Sequence, residues 1–133
     1  MKENLSEQNK KNTNTVKPFK SDEAYEYLET VYRLKKALDF KREHPVLFEN
    51  KAKIKKEYSK IFQSVNENFE RFLLYVLTDS NSIKMNQNTY QWLIENNKQT
   101  IGRAYELALQ GEGIEVITTL QPIVKLNRII SMQ

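Results

Sequence analysis

The sequence predicts an all-α fold: an elongated helical bundle of three long helices and a kinked C-terminal helix, preceded by a disordered N-terminal tail. Two observations carry this reading. Between Leu47 and Thr78, apolar residues recur at Ile54, Tyr58, Ile61, Val65, Phe69, Phe72 and Val76 in steps of four and three. That spacing averages close to the 3.6-residue turn of an α-helix. Three glycines and three prolines among 133 residues are also few for a sandwich or barrel, which needs many tight turns. The length fits one domain, placed at residues 21–133.

Residues 1–20 offer only Leu5, Val16 and Phe19 as large apolar groups among Lys, Asn, Gln and Thr. Burying so little cannot offset the entropy of ordering the segment, so it reads as a flexible basic tail. A first helix follows. Ser21 is its expected N-cap, and Asp22, Glu23 and Glu26 bring negative charge to the positive end of the helix dipole. Ala24, Leu28, Val31, Leu34 and Leu38 form its apolar stripe, and Lys41 and Arg42 suit its C-terminal end. Pro45 ends it, because a residue before proline, here His44, is pushed away from helical angles.

The second helix, Leu47 to Thr78, would span roughly 48 Å if unbroken, at 1.5 Å per residue. A compact domain of this size has a radius of gyration near ~14 Å. The mismatch implies an elongated hairpin, or a far end covered by a second copy, as a homodimer through helix 47–78, or by another partner. The helix changes character along its length. Lys53, Lys56 and Lys60 lie away from the stripe in its first half, whereas Phe72 to Leu77 is apolar on every side and reads as the centre of the core.

Asp79 to Ser82 is a polar break, and Asn88 with Gln91 resembles a capping box for a third helix whose stop is Gly111. Gly102 falls inside this helix, where glycine costs on the order of 1 kcal/mol relative to alanine; close approach of a neighbouring helix would account for it. The segment Ile114–Ser131 is rich in aliphatic residues; its β-branched run Ile114, Val116, Ile117, Thr118 and Thr119 could form a short strand, but no strand partner is evident elsewhere, so with Pro122 the segment reads as a kinked helix or two short ones.

Several function classes lack residues to support them. There is no cysteine, hence no thiolate nucleophile, disulfide or Cys-based zinc site. His44 is the single histidine and falls at a helix-hairpin apex. The pairs Glu23/Glu26, Glu26/Glu29 and Glu67/Glu70 lack the Glu-x-x-His partner of a helix-bundle metal site, and no glycine-rich phosphate loop is present. No enzyme activity, cofactor or metal is expected. No apolar run approaches the ~18 residues of a membrane span, and the polar N-terminus lacks the apolar core of a secretory signal. The expectation is a soluble, cytoplasmic protein without a membrane partner.

Charge is distributed unevenly. Residues 33–60 hold ten basic and four acidic groups, against four acidic and no basic groups in residues 21–32. An antiparallel pairing of the first two helices therefore concentrates positive charge at the hairpin tip. Arg33, Lys36, Lys41, Arg42, Lys53, Lys56 and Lys60 are the candidate binding residues. The function expected is a non-enzymatic binding or adaptor protein whose tip engages an acidic protein surface. The alternative is a nucleic-acid-binding accessory protein using the same tip; the seven tyrosines could supply stacking surfaces, but most fall on the apolar stripes and read better as half-buried core edges. A third, less favoured alternative is a helical enzyme of unrecognised kind. A helix-turn-helix over residues 103–122 is disfavoured because its second helix has no basic residue before Pro122.

Overall fold

A computed structural model describes residues 16–133. Seven helices and no strand occur among them: α1 Ser21–Glu43, α2 Pro45–Asn50, α3 Ala52–Glu67, α4 Phe69–Leu77, α5 Gln87–Asn96, α6 Lys98–Leu109 and α7 Gly113–Ser131. The all-α class holds, with more and shorter helices than the periodicity implied.

Packing begins before α1. Residues 1–15 of the expected tail lie outside the described residues, but Phe19 is buried and its ring meets that of Tyr27 at 5.8 Å. The Phe19 N–H donates to the Arg71 carbonyl at 3.2 Å, and Asn81 Nδ2 donates to the Phe19 carbonyl at 2.9 Å. The Arg71 guanidinium lies 4.6 Å over the Phe19 ring and donates to the Lys17 carbonyl at 3.1 Å. One aromatic side chain with its backbone groups satisfied is enough to dock this short stretch. Lys20, rather than Ser21, occupies the N-cap position, and the Glu23 carboxylate accepts the Lys20 N–H at 2.9 Å. At the other end His44 leaves helical geometry, with φ −134° and ψ 61°, immediately before Pro45.

The expected long second helix is three helices. Lys51, at φ −108° and ψ 96°, separates α2 from α3. In a straight helix residues 48 and 58 would stand ~15 Å apart along the axis; the bend brings the Phe48 and Tyr58 rings to 5.6 Å, edge to face, and buries Phe48. The second break is shallower. Asn68 donates from its side-chain amide to the Ser64 carbonyl at 2.9 Å, while its own N–H still reaches the same carbonyl at 3.2 Å. Short amide side chains compete in this way with the helical ladder. Residues 47–78 thus do not form the single unbroken helix expected. The segment that is apolar on every side is α4, and Phe69, Phe72, Leu73, Leu74, Val76 and Leu77 are all buried within this chain, so that half of 47–78 presents no open apolar face.

Around α4 the other helices form two hairpins, α1 with α3 and α6 with α7. Buried polar groups fix the joints. Tyr27 Oη donates to the Val65 carbonyl at 2.9 Å, and Asn127 Nδ2, on α7, donates to the Leu77 carbonyl at 2.8 Å. Burial raises the Tyr27 hydroxyl pKa, and nearby Tyr105 adds to the effect; the phenol therefore stays a donor. After α4 the chain turns through Asp79, Ser80 and Asn81, all left-handed with φ of 55°, 59° and 69°. Non-glycine residues visit this region at a cost. The turn is held by Arg128 Nε on the Asp79 carboxylate at 2.8 Å, a hydrogen bond that lowers the Asp79 carboxyl pKa.

The third expected helix is also divided. Its cap is Asn86, whose side chain accepts the Thr89 N–H at 2.8 Å, and not Asn88. Asn97 separates α5 from α6 at φ −136°, with its amide donating to the Leu93 carbonyl at 2.8 Å. The expectation for Gly102 is corrected: the residue is exposed, and a methyl group there would meet nothing within 4 Å. The tightly packed glycine is Gly111. It has φ +81°, and a Cβ would lie 2.4 Å from Lys35 Cβ and 2.5 Å from Lys35 Cα. The α6–α7 turn thus rests directly on α1, beside the Lys35–Glu112 ion pair at 3.0 Å. Finally, α7 runs as one helix through Pro122. Val116, Leu120, Ile123, Val124 and Asn127 form its buried stripe, while Pro122 is exposed, where water can reach the carbonyl it leaves without a partner.

Candidate functional site

The α1–α3 hairpin is antiparallel. Tyr27 near the start of α1 reaches Val65 near the end of α3, and Lys41 near the end of α1 reaches Tyr58. The basic end of α1 therefore lies beside the basic start of α3. A groove of about 420 Å³ runs between the two helices, with Ala37 and Phe40 contributed by α1 and Ile54, Tyr58 and Ile61 by α3. Almost all of its lining is apolar. Lys36 borders it from α1, and Lys53 and Glu57 border it from α3.

Helical spacing explains which charges reach this groove. Along α3, Lys53 and Lys60 are seven residues apart and share one flank, with Glu57 between them. Lys56 is rotated away. Along α1, Arg33 is three residues before Lys36 and seven before Phe40, which places it on the same side and extends the basic wall toward the N-terminus. No ion pair engages Arg33, Lys36, Lys53 or Lys60 among the described residues. The Lys36 ammonium lies 5.4 Å over the Tyr32 ring, and Arg33 donates to the Thr30 hydroxyl at 3.3 Å. Both contacts leave the positive charge without a counter-ion.

The remaining candidates are placed differently. Lys41 is exposed and lies across two aromatic rings, with its ammonium 5.3 Å over Phe48 and 5.5 Å over Tyr58. It joins α1, α2 and α3 as a cation–π contact on the surface of the tip. Arg42 is paired with Asp39 at 2.7 Å. Arg42 thus has a counter-ion, whereas Lys41, like Lys36, has aromatic contacts and no ion pair among the described residues. Of the seven sequence-derived residues, Lys36 and Lys53 therefore line the groove, Arg33 and Lys60 lie further along the same helices, Lys41 and Arg42 are engaged at the tip, and Lys56 is on the outer face of α3. Sequence reasoning missed Ala37, Phe40 and Ile61 as groove residues. Their signal was present but ambiguous, since Ile54 and Ile61 belong to a stripe that would be covered in an ideal bundle.

His44 is exposed at the apex, with its ring 5.0 Å from that of Phe40. Tyr25 and Tyr32 are exposed on α1, whereas Tyr27 is buried. A second concavity of about 410 Å³ lies near Leu74, Met85 and Tyr90. Its polar groups are largely satisfied by the protein: Tyr90 Oη donates to Glu70 at 2.6 Å, and Thr78 Oγ1 donates to the Leu74 carbonyl at 2.7 Å. Burial, then the carboxylate, raise the Tyr90 hydroxyl pKa, so this pair is a fixed hydrogen bond and offers no proton near neutral pH. Among the described residues there is no group of three or more His, Cys, Asp or Glu suited to a metal ion, and no helix long and apolar enough to cross a membrane. Comparison of the chain with protein-family models, curated proteins and solved structures gave no match.

Proposed function

We propose that this protein is a non-enzymatic binding or adaptor protein that engages an acidic protein partner through the α1–α3 face. The observation that carries this reading is that Lys36 and Lys53 line one groove from its two helices, with Arg33 and Lys60 further along the same helices, and that none of the four has an ion pair among the described residues. Like charges gathered without partners repel one another and destabilise the free protein slightly, and an acidic surface relieves that repulsion on binding. Lys41 and Arg42, named as contact residues by the sequence, act in this reading as supports that shape the tip.

Nucleic acid is the less favoured ligand for the same face. Single-strand binders interleave basic groups with open aromatic faces. Here the Tyr58 ring is already packed against Phe48 and covered by Lys41, and the groove floor is aliphatic apart from Phe40 and Tyr58. Fluorescence anisotropy at low salt separates the two ligands. A labelled poly-glutamate chain is expected to bind, and the double charge reversal Lys36→Glu with Lys53→Glu is expected to weaken it at least tenfold. Lys56→Glu, on the outer face of α3, should have a much smaller effect. Tight binding of a 20-nucleotide single strand, with poly-glutamate unbound, would replace this reading by the nucleic-acid one.

A further inference from the structure

We infer that the groove between α1 and α3 receives an acidic amphipathic helix, whose apolar residues enter the groove while its carboxylates meet the flanking basic groups. This inference rests on the acidic-partner reading and specifies the shape of what binds. Three features of the groove lead to it.

The first is the chemistry of the floor. Ala37, Phe40, Ile54, Tyr58 and Ile61 present an open, almost entirely apolar channel. A partner that only supplied negative charge would leave this channel wet, whereas apolar side chains entering it gain about 25 cal/mol for each Å² removed from water. The small Ala37 side chain leaves room opposite the larger residues of α3.

The second is the backbone problem. A peptide lying on apolar surface must satisfy its own N–H and C=O groups, because an unpaired buried amide is costly. An extended peptide solves this by joining a sheet edge. The described residues contain no strand, and the groove walls are helices whose backbone groups are internally bonded. A helix carries its hydrogen bonds within itself and needs no donor from the groove. It also fits the channel between two antiparallel helices as a third member of the layer.

The third is the arrangement of charge. Lys36 lines the channel from α1 and Lys53 lines it from α3, so a cation stands on each edge, and Arg33 and Lys60 lie further along the same two helices. Glu57 is the sole acidic group lining it. The complementary helix has one apolar stripe with Asp or Glu along both of its margins. A basic amphipathic helix would bring like charges together on both sides.

Selection from a random 16-residue peptide library displayed on phage, at low salt, tests this even though the natural partner is unidentified. Enriched peptides are expected to be acidic, with large apolar residues at spacings of three and four, and to gain helical circular dichroism when bound. Replacing those apolar residues by Ser in a synthetic peptide should weaken binding at least tenfold. Ala37→Phe, which fills the channel and leaves every charge in place, should do the same, with its thermal unfolding compared with the parent to establish that it folds. The peptide substitutions decide the matter even where that variant does not fold.

Acidic peptides without an apolar repeat, or tight binding that survives the Ser substitutions, would overturn the helical occupant and leave the acidic-partner reading standing. So would peptides that bind without gaining helix. If no peptide is enriched, if the enriched peptides are not acidic, or if Lys36→Glu with Lys53→Glu leaves their binding unchanged, both readings fall.

Discussion

Two glycines show how differently the same residue type is used in this chain. Gly111 combines a left-handed φ of +81° with a backbone so close to Lys35 that a Cβ would overlap α1. Gly111→Ala must strain the turn and push the α6–α7 hairpin off α1, and urea unfolding should show a loss of about 3 kcal/mol. Gly102 has neither constraint. Gly102→Ala places a better helix former at an exposed position and should stabilise by about 1 kcal/mol in the same measurement. The sequence identified Gly111 as a helix stop because glycine favours that position. It misassigned Gly102, because a mid-helix glycine looks the same whether a neighbour presses on it or solvent surrounds it.

At the scale of the element, the decisive feature is the bend at Lys51. It folds the six-residue α2 back so that Phe48 is buried against Tyr58 and beneath Lys41. A helix this short has little stability of its own. Phe48→Ala is therefore expected to release α2, with amide exchange across residues 46–50 rising by up to two orders of magnitude, the equivalent of ~3 kcal/mol of lost packing. Periodicity alone could not reveal the bend. Residues 54 to 76 keep helical spacing across Asn68 because that break is shallow, and Leu47 could be mistaken for part of the stripe although it is 42% exposed. What decides the bend is a contact between residues ten apart, which a local pattern does not record.

The left-handed turn after α4 supplies a pH dependence at the same scale. The hydrogen bond from Arg128 holds the Asp79 carboxyl below its ordinary range. A depressed carboxyl contributes stability that is fully present above its unfolded value, about 3.9, and is lost as pH falls through the folded value. Wild type should thus melt above Arg128→Met at pH 7, with the difference in Tm shrinking steadily as the pH is lowered toward 2. Both side chains are substantially exposed, so the difference should be small and should narrow in high salt.

For the molecule as a whole, charge and apolar surface meet in one place. The basic bias of residues 33–60 was legible from composition. The antiparallel pairing that brings Lys36 opposite Lys53 followed from the proline-bounded hairpin. The groove was not legible, since it depends on how far apart α1 and α3 stand after α2 folds back. Two of the seven candidate cations, Lys36 and Lys53, line that groove. Whether they, with Arg33 and Lys60 beside them, make the α1–α3 face a binding surface is decided by amide-resolved NMR during a poly-glutamate titration at low salt. The largest shifts are expected in residues 33–40 and 53–61; they should collapse as salt is raised and vanish in Lys36→Glu with Lys53→Glu. Shifts centred on α5 or α7, or no shifts at all, would contradict that assignment.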